Sequence, residues 1–343
     1  MLRGRAPASP PARTESPCSA ASWAPAIPAR PCAPCSLRRR CPDSDAGRAA
    51  GVAPDIDADR RTRQPAVMTA SFVSGPRRLY GHRGARGRTP ENTVLAFAAA
   101  LEDGANALEL DVQRTKDGVV VVFHDDDGAR MAGVPARVAD STYAELTRWD
   151  LGRGFTLPPG EPAPPSLGGD PTRPFAGRGL APPRLLDVLR AFPGIPINVD
   201  LKTRDPALVD AVVRLVDDER ATHRVLLTSF FDDVIARVQA TGTTAATGLG
   251  PRAIAALRLL PAFAARRVLQ PHVARGRSRV QIPPRTSLLR LDGADVVARC
   301  HDLGFAVDYW VIDDAAQGRL LLDRGADGLM SDHPGRLASL FPR

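Results

Sequence analysis

Residues 79–125 read LYGHRGARGRTPENTVLAFAAALEDGANALELDVQRTKDGVVVVFHD, and this stretch decides the fold. A short apolar run ends in His82-Arg83-Gly84. A helix signal follows over 91–103, with Thr89 as expected N-cap, Pro90 at the first helical position, and Val94, Leu95, Ala98 and Leu101 at helical spacing. A second strand, 107–112, carries Glu109 and Asp111, and a third, 119–123, ends in His124-Asp125. Two histidines, an arginine and two carboxylates thus fall on strands or strand ends of a βαββ run.

Side chains two residues apart on a strand point to one face, so Glu109 and Asp111 point the same way. Two carboxylates sharing a buried face repel each other and are costly to desolvate. A divalent cation relieves both, and an all-oxygen ligand set suits Mg²⁺ or Ca²⁺ better than Zn²⁺.

The ordered set His82-Arg83-Gly84, Pro90-Glu91-Asn92-Thr93, Glu109-Leu110-Asp111-Val112 and His124-Asp125 resembles the glycerophosphodiester phosphodiesterase family, with similarity running from about Arg78 to Leu340. The resemblance implies hydrolysis of glycerophosphodiesters to sn-glycerol 3-phosphate and an alcohol.

Downstream, strands and helices alternate. Strands are expected at 78–82, 107–112, 119–123, 196–201, 225–229, 244–248, 279–282, 306–312 and 328–331. Alternation over this length predicts an α/β fold, a (β/α)8 TIM barrel. Nine candidates are one too many, and 244–248 and 279–282 are the weakest. Residues 126–183 break the alternation with a Gly- and Pro-rich run, an insertion after the third strand. In the resembled family such an insertion helps cover the site.

Barrel enzymes work at the C-terminal ends of their strands. There the sequence sets His82, His124 and the run Asn198-Val199-Asp200-Leu201-Lys202. Imidazole titrates near neutrality, so His82 and His124 are the expected acid and base. Asp200 would join Glu109 and Asp111 as a third metal ligand, although the resembled family typically has Glu there. Arg83, Lys202 and the cation would stabilise the charge of a pentacoordinate phosphorane. Glu91 is expected on the glycerol hydroxyls or near the metal, or as a plain helix-start acid, and Trp310 on the glycerol end of the substrate.

Composition sets the limits. Residues 1–67 hold 11 prolines, 11 Arg, no Lys and 6 acids, which predicts a disordered tail; the catalytic domain is expected over 68–343, and Met68 would serve as a start. That tail carries most of the +8 formal charge, which argues against nucleic acid as a partner. Four of five cysteines also lie there without a second ligand pair for zinc, so no disulfide framework is expected and a cytoplasmic location fits. No run of about 20 apolar residues predicts a membrane span. Two alternatives stay open: a lysophospholipase of C or D type, which would need an apolar rim sought in Phe155, Leu157, Leu167 and Phe175, and a phosphodiester-binding barrel with impaired catalysis, for which Asp200 speaks.

Overall fold

The computed structural model describes Phe72, 75–161 and 170–341. The expected tail, Met68, the four tail cysteines and Leu167 lie outside those residues.

Eight parallel strands close into a barrel: β1 (Arg78–Gly81), β2 (Ala107–Arg114), β6 (Ile197–Leu201), β7 (Val225–Thr228), β8 (Ala246–Gly248), β9 (Ser278–Ile282), β10 (Ala306–Tyr309) and β11 (Gly328–Ser331). The last strand closes on the first, with Arg78 opposite Gly328 and Gly81 opposite Ser331. Helices α1 (Val94–Glu102), α4 (Leu185–Ala191), α5 (Pro206–Asp218), α6 (Asp232–Ala240), α10 (Ala294–Asp302), α11 (Ala315–Asp323) and α12 (Pro334–Leu337) follow the strands. Between β8 and β9 lie three: α7 (Pro251–Leu259), α8 (Ala262–Val268) and α9 (Gln270–Arg275). In α5, Leu208, Val209, Val212, Val213 and Val216 recur at helical spacing and are buried; Asp205 caps it, accepting from Ala207 N, and Pro206 takes the first position.

The surplus strand is not one of the two weakest. Both 244–248 and 279–282 contain barrel strands, β8 and β9. The extra one is β3 (Val120–Val122), antiparallel to the outer end of β2. The Lys116-Asp117-Gly118 turn explains it, with Gly118 at φ +86. So short a connection can only fold a strand back as a hairpin, since a parallel return needs a crossover of a dozen residues or more.

The insertion is ordered where described. It holds a hairpin of β4 (Asp127–Gly128) and β5 (Val134–Arg137), and two short helices, α2 (Ala129–Ala132) and α3 (Tyr143–Leu146). These bury a small core of their own: Phe123, Met131, Val138, Leu146, Trp149 and Leu151. Trp149 meets Phe123 edge to face at 5.6 Å.

Helix α1 starts later than expected. Its N-cap is Thr93, whose hydroxyl accepts from Ala96 N at 3.1 Å. Thr89 instead donates to Ala85 O at 2.8 Å. Residues 82–93 are spent on turns, with Arg83 at φ +51 and Asn92 at φ +57, and those turns carry side chains into the barrel mouth.

Candidate active site

The mouth is built on adjacent strands. Glu109 and Asp111 of β2 stand opposite Asn198 and Asp200 of β6 in register. One carboxylate oxygen from each of Glu109, Asp111 and Asp200 lies within 4.8 Å of the others, and all three residues are buried. The three-acid cluster expected from sequence therefore assembles.

Cations already sit among these acids. Lys202 Nζ is 2.6 Å from Asp200 Oδ2 and 2.8 Å from Asp111 Oδ1. Arg83 Nε is 3.1 Å from Asp111 Oδ2, and the Arg83 backbone N–H donates to Glu109 Oε2 at 2.8 Å. Burial pushes the Glu109 carboxyl up to about 7, and the neighbouring Asp111 adds to the shift. Burial also raises Asp200. It acts on Asp111 as well, but Lys202 and Arg83 outweigh it and hold that carboxyl below its usual range. Burial opposes the charge on Lys202, yet Asp111 and Asp200 hold its ammonium above its ordinary value.

Three carboxylates against two cations leave room for further positive charge. Asp200 Oδ1 is buried without a hydrogen-bond partner, and Asp111 Oδ1 has only the Lys202 ammonium beside it. An orphaned, acceptor-only oxygen beside a carboxyl driven toward neutrality fits a hard divalent cation. The Asp at 200 reaches the cluster despite its shorter side chain.

Each histidine is held by an aspartate. His82 Nδ1–H donates to Asp332 Oδ1 at 2.6 Å, and its Nε2 lies 3.9 Å from Glu109 Oε2. His124 Nδ1–H donates to Asp125 Oδ1 at 2.7 Å. An ionised carboxylate only accepts, so each ring is fixed with its proton on Nδ1 and Nε2 left for chemistry. Both rings line one cavity of about 650 Å³ together with Glu109, Asp200 and Lys202.

Glu91 does something other than expected. It is buried ahead of α1, does not line the cavity, and bonds Arg83 Nη1 at 3.0 Å and Arg130 Nη2 at 2.6 Å. Arg130 also bonds Asp125 Oδ2 at 2.6 Å, so the insertion is tied to the His124 partner and to the first strand's loop. Burial opposes ionisation of Glu91, but Arg130 and Arg83 prevail and hold its carboxyl below the usual value. Trp310 lines the cavity, with Phe230 edge-on at 5.7 Å.

Sequence reasoning missed three contributors. Asp332 stands in the closing strand motif, but its partner is 250 residues away. Asn92 donates to Asp111 Oδ2 at 2.8 Å, which is why it leaves the helix. Arg86 lines the cavity and lies 3.7 Å from Asp332 Oδ2. A signal existed for Asn92, since it stands in the quoted Pro-Glu-Asn-Thr motif.

Residues 82–336 match the glycerophosphoryl diester phosphodiesterase family. The chain belongs to this family. Among curated relatives, a glycerophosphodiester phosphodiesterase from Bacillus altitudinis is 33% identical over 45% of this chain and 58% of its own length. A lysophospholipase D from Homo sapiens is 28% identical over 75% of this chain and 83% of its own. Among solved structures, a glycerophosphoryl diester phosphodiesterase from Silicibacter pomeroyi aligns with a TM-score of 0.58 at 26% identity, covering 79% of this chain and 95% of that one. An Oleispira antarctica phosphodiesterase in complex with sn-glycerol-3-phosphate shares the fold, with a TM-score of 0.58 at 22% identity over 76% of this chain and 95% of its own. Members of the glycerophosphoryl diester phosphodiesterase family are phosphoric diester hydrolases; in this one the acid cluster sits on β2 and β6, His82 directly follows β1, and His124 follows the hairpin strand β3 rather than a barrel strand.

Proposed function

We propose that the chain hydrolyses glycerophosphodiesters to sn-glycerol 3-phosphate and an alcohol, with Mg²⁺ or Ca²⁺ held by Glu109, Asp111 and Asp200. The observation that carries this reading is two imidazoles, each fixed by its own carboxylate, sharing one cavity with a buried three-acid cluster.

Glu109, Asp111 and Asp200 would hold the cation, which when bound would supply Lewis-acid chemistry toward the phosphoryl oxygens. The protein's own residues do the rest. Nε2 of one imidazole takes the proton of the attacking oxygen, and Nε2 of the other gives one to the leaving alkoxide. Asp332 and Asp125 keep the rings aimed and favour the imidazolium that each must pass through. Lys202 and Arg83 balance the acids between turnovers, and their charge serves the phosphorane when phosphate arrives. Trp310 and Phe230 offer an apolar edge to the substrate.

A second reading has its own support. One wall of the cavity is apolar, made by Leu249, Pro251, Ile254, Ile282, Leu289 and Leu291. Phe155 and Phe175, sought earlier as a rim, are buried against each other at 5.3 Å instead. An apolar wall beside a phosphate site suits a lysophospholipid, whose acyl chain would lie along it.

The test is release of glycerol 3-phosphate from glycerophosphocholine, glycerophosphoethanolamine and glycerophosphoglycerol, with Mg²⁺, Ca²⁺ or a chelator, and lysophosphatidylcholine as a further substrate. Metal-dependent release from any of the first three supports the primary reading. Choline or phosphocholine release from the lysolipid alone favours the second. Asp200→Asn removes one of three charges facing the dication and should abolish metal-dependent turnover. Activity equal to the parent at limiting metal would strike Asp200 from the ligands.

A further inference from the structure

We propose that a face formed by α7, α8 and the 285–290 loop docks this enzyme on an anionic lipid surface. From Val234 to Leu291 the chain has ten Arg and not one Asp or Glu, whereas the rest of 68–343 is net −7. Arg237, Arg252, Arg279 and Arg290 pair with Asp210, Asp232, Asp308 and Asp292, which leaves Arg258, Arg266, Arg267, Arg275, Arg277 and Arg285 without an acidic partner among the described residues. The basic segment includes all three helices between β8 and β9.

Large apolar side chains stand out of this same region into solvent: Leu259 is 63% exposed, Phe263 80% and Leu288 89%. On α8, Phe263, Arg266 and Arg267 are three and four residues apart and share one exposed side. Arg252 and Arg285 are exposed on the neighbouring elements. The loop is closed by a bridge between Arg285 and Arg290, carries Leu288 near its tip, and rests on α7 through Arg258 Nε–H to Arg290 O at 3.4 Å.

Apolar side chains standing among arginines are the pattern of an interfacial element, in which the rings and branched chains enter the acyl boundary and the guanidinium groups meet lipid phosphates. Charge excludes two other occupants. A second copy meeting this face about a twofold axis would set basic charge against basic charge. Residues 1–67, net +5, would be repelled in the same way. A nucleic acid would satisfy the arginines but give the three apolar groups nothing to bury against.

The position makes the docking useful. Pro251, Ile254 and Ala255 of α7, and Thr286 and Leu289 of the loop, wall the apolar side of the active-site cavity. The elements that would touch lipid are therefore those that would guide a lipid-derived substrate inward. The docking itself needs no catalysis.

The experiment is co-sedimentation of the full chain with vesicles of phosphatidylcholine alone and of phosphatidylcholine with 30% phosphatidylglycerol, with His82→Ala run alongside. Binding is expected on the anionic vesicles only, lost at high salt, and equal for His82→Ala. Phe263→Ser and the double change Arg266→Glu, Arg267→Glu should each weaken it by about tenfold or more, with unchanged melting temperatures. Equal binding to both vesicle types, or parent-like binding by the double variant, overturns the proposal. So does tight binding to duplex DNA, indifferent to Phe263→Ser, in a protein that ignores vesicles.

Discussion

At the scale of single residues, the site rests on pairs: His82 with Asp332, His124 with Asp125, and Glu91 between Arg83 and Arg130. Replacing His82 or His124 by Ala should lower kcat by roughly 10² to 10⁴-fold, the usual worth of a general acid or base, with KM much less affected. A variant that keeps near-parental kcat would show that histidine to be structural. Glu91 gives a pH prediction. Its carboxyl is held below its ordinary value of 4.5, so the pair's stabilisation is fully present above about pH 4.5 and is lost as pH falls through the lowered value. Parent protein should lose stability over that acid range more steeply than Glu91→Gln, as read from urea unfolding at several pH values. The two slopes coinciding would mean the carboxylate contributes nothing there.

At the scale of elements, local signals were legible wherever a strand or helix speaks for itself. The His82, Glu109, Asp111 and His124 positions followed from strand ends and two-residue spacing. The start of α1 did not, because Thr89 and Pro90 imitate a cap while Asn92 is drawn away to bond Asp111. That bond is tertiary and leaves no periodic trace. The order inside the insertion leaves no sequence signal, since its core comes from Phe123, Met131, Val138 and Trp149, too scattered to show a period. This small core has a measurable consequence. Trp149→Ala should cost about 3–5 kcal/mol. Because the insertion's core is separate, amides of 129–151 should exchange faster while those of β2 and β6 stay protected. A uniform rise in exchange across the barrel would show that the insertion does not open by itself.

At the scale of the whole molecule, barrel closure depends on contacts that sequence spacing hides. Phe72 is buried beneath the barrel; its carbonyl accepts from Arg78 Nη2 and Arg279 Nη1, each at 3.3 Å, and its N–H donates to His223 O at 3.1 Å. Arg279 in turn bonds Asp308 Oδ2 at 2.8 Å, with Tyr80 on the same oxygen at 3.1 Å. A chain starting at Met68 keeps Phe72 and should match the full chain in melting temperature. One starting at Gly75 should be destabilised by about 3–5 kcal/mol, as when a buried Phe is removed. Equal melting of both would make Phe72 dispensable.

The bond from His82 to Asp332 also sets a clock. These partners are 250 residues apart, and ribosomes add about 5–20 residues each second. His82 therefore emerges roughly 12–50 s before the carboxylate that aims it exists. The acid cluster and both imidazoles are made long before β11, the strand that closes the barrel against β1 and leads to Asp332. A chain cut short before Asp332 would lack the carboxylate that orients His82, and on the proposed mechanism it should be inactive.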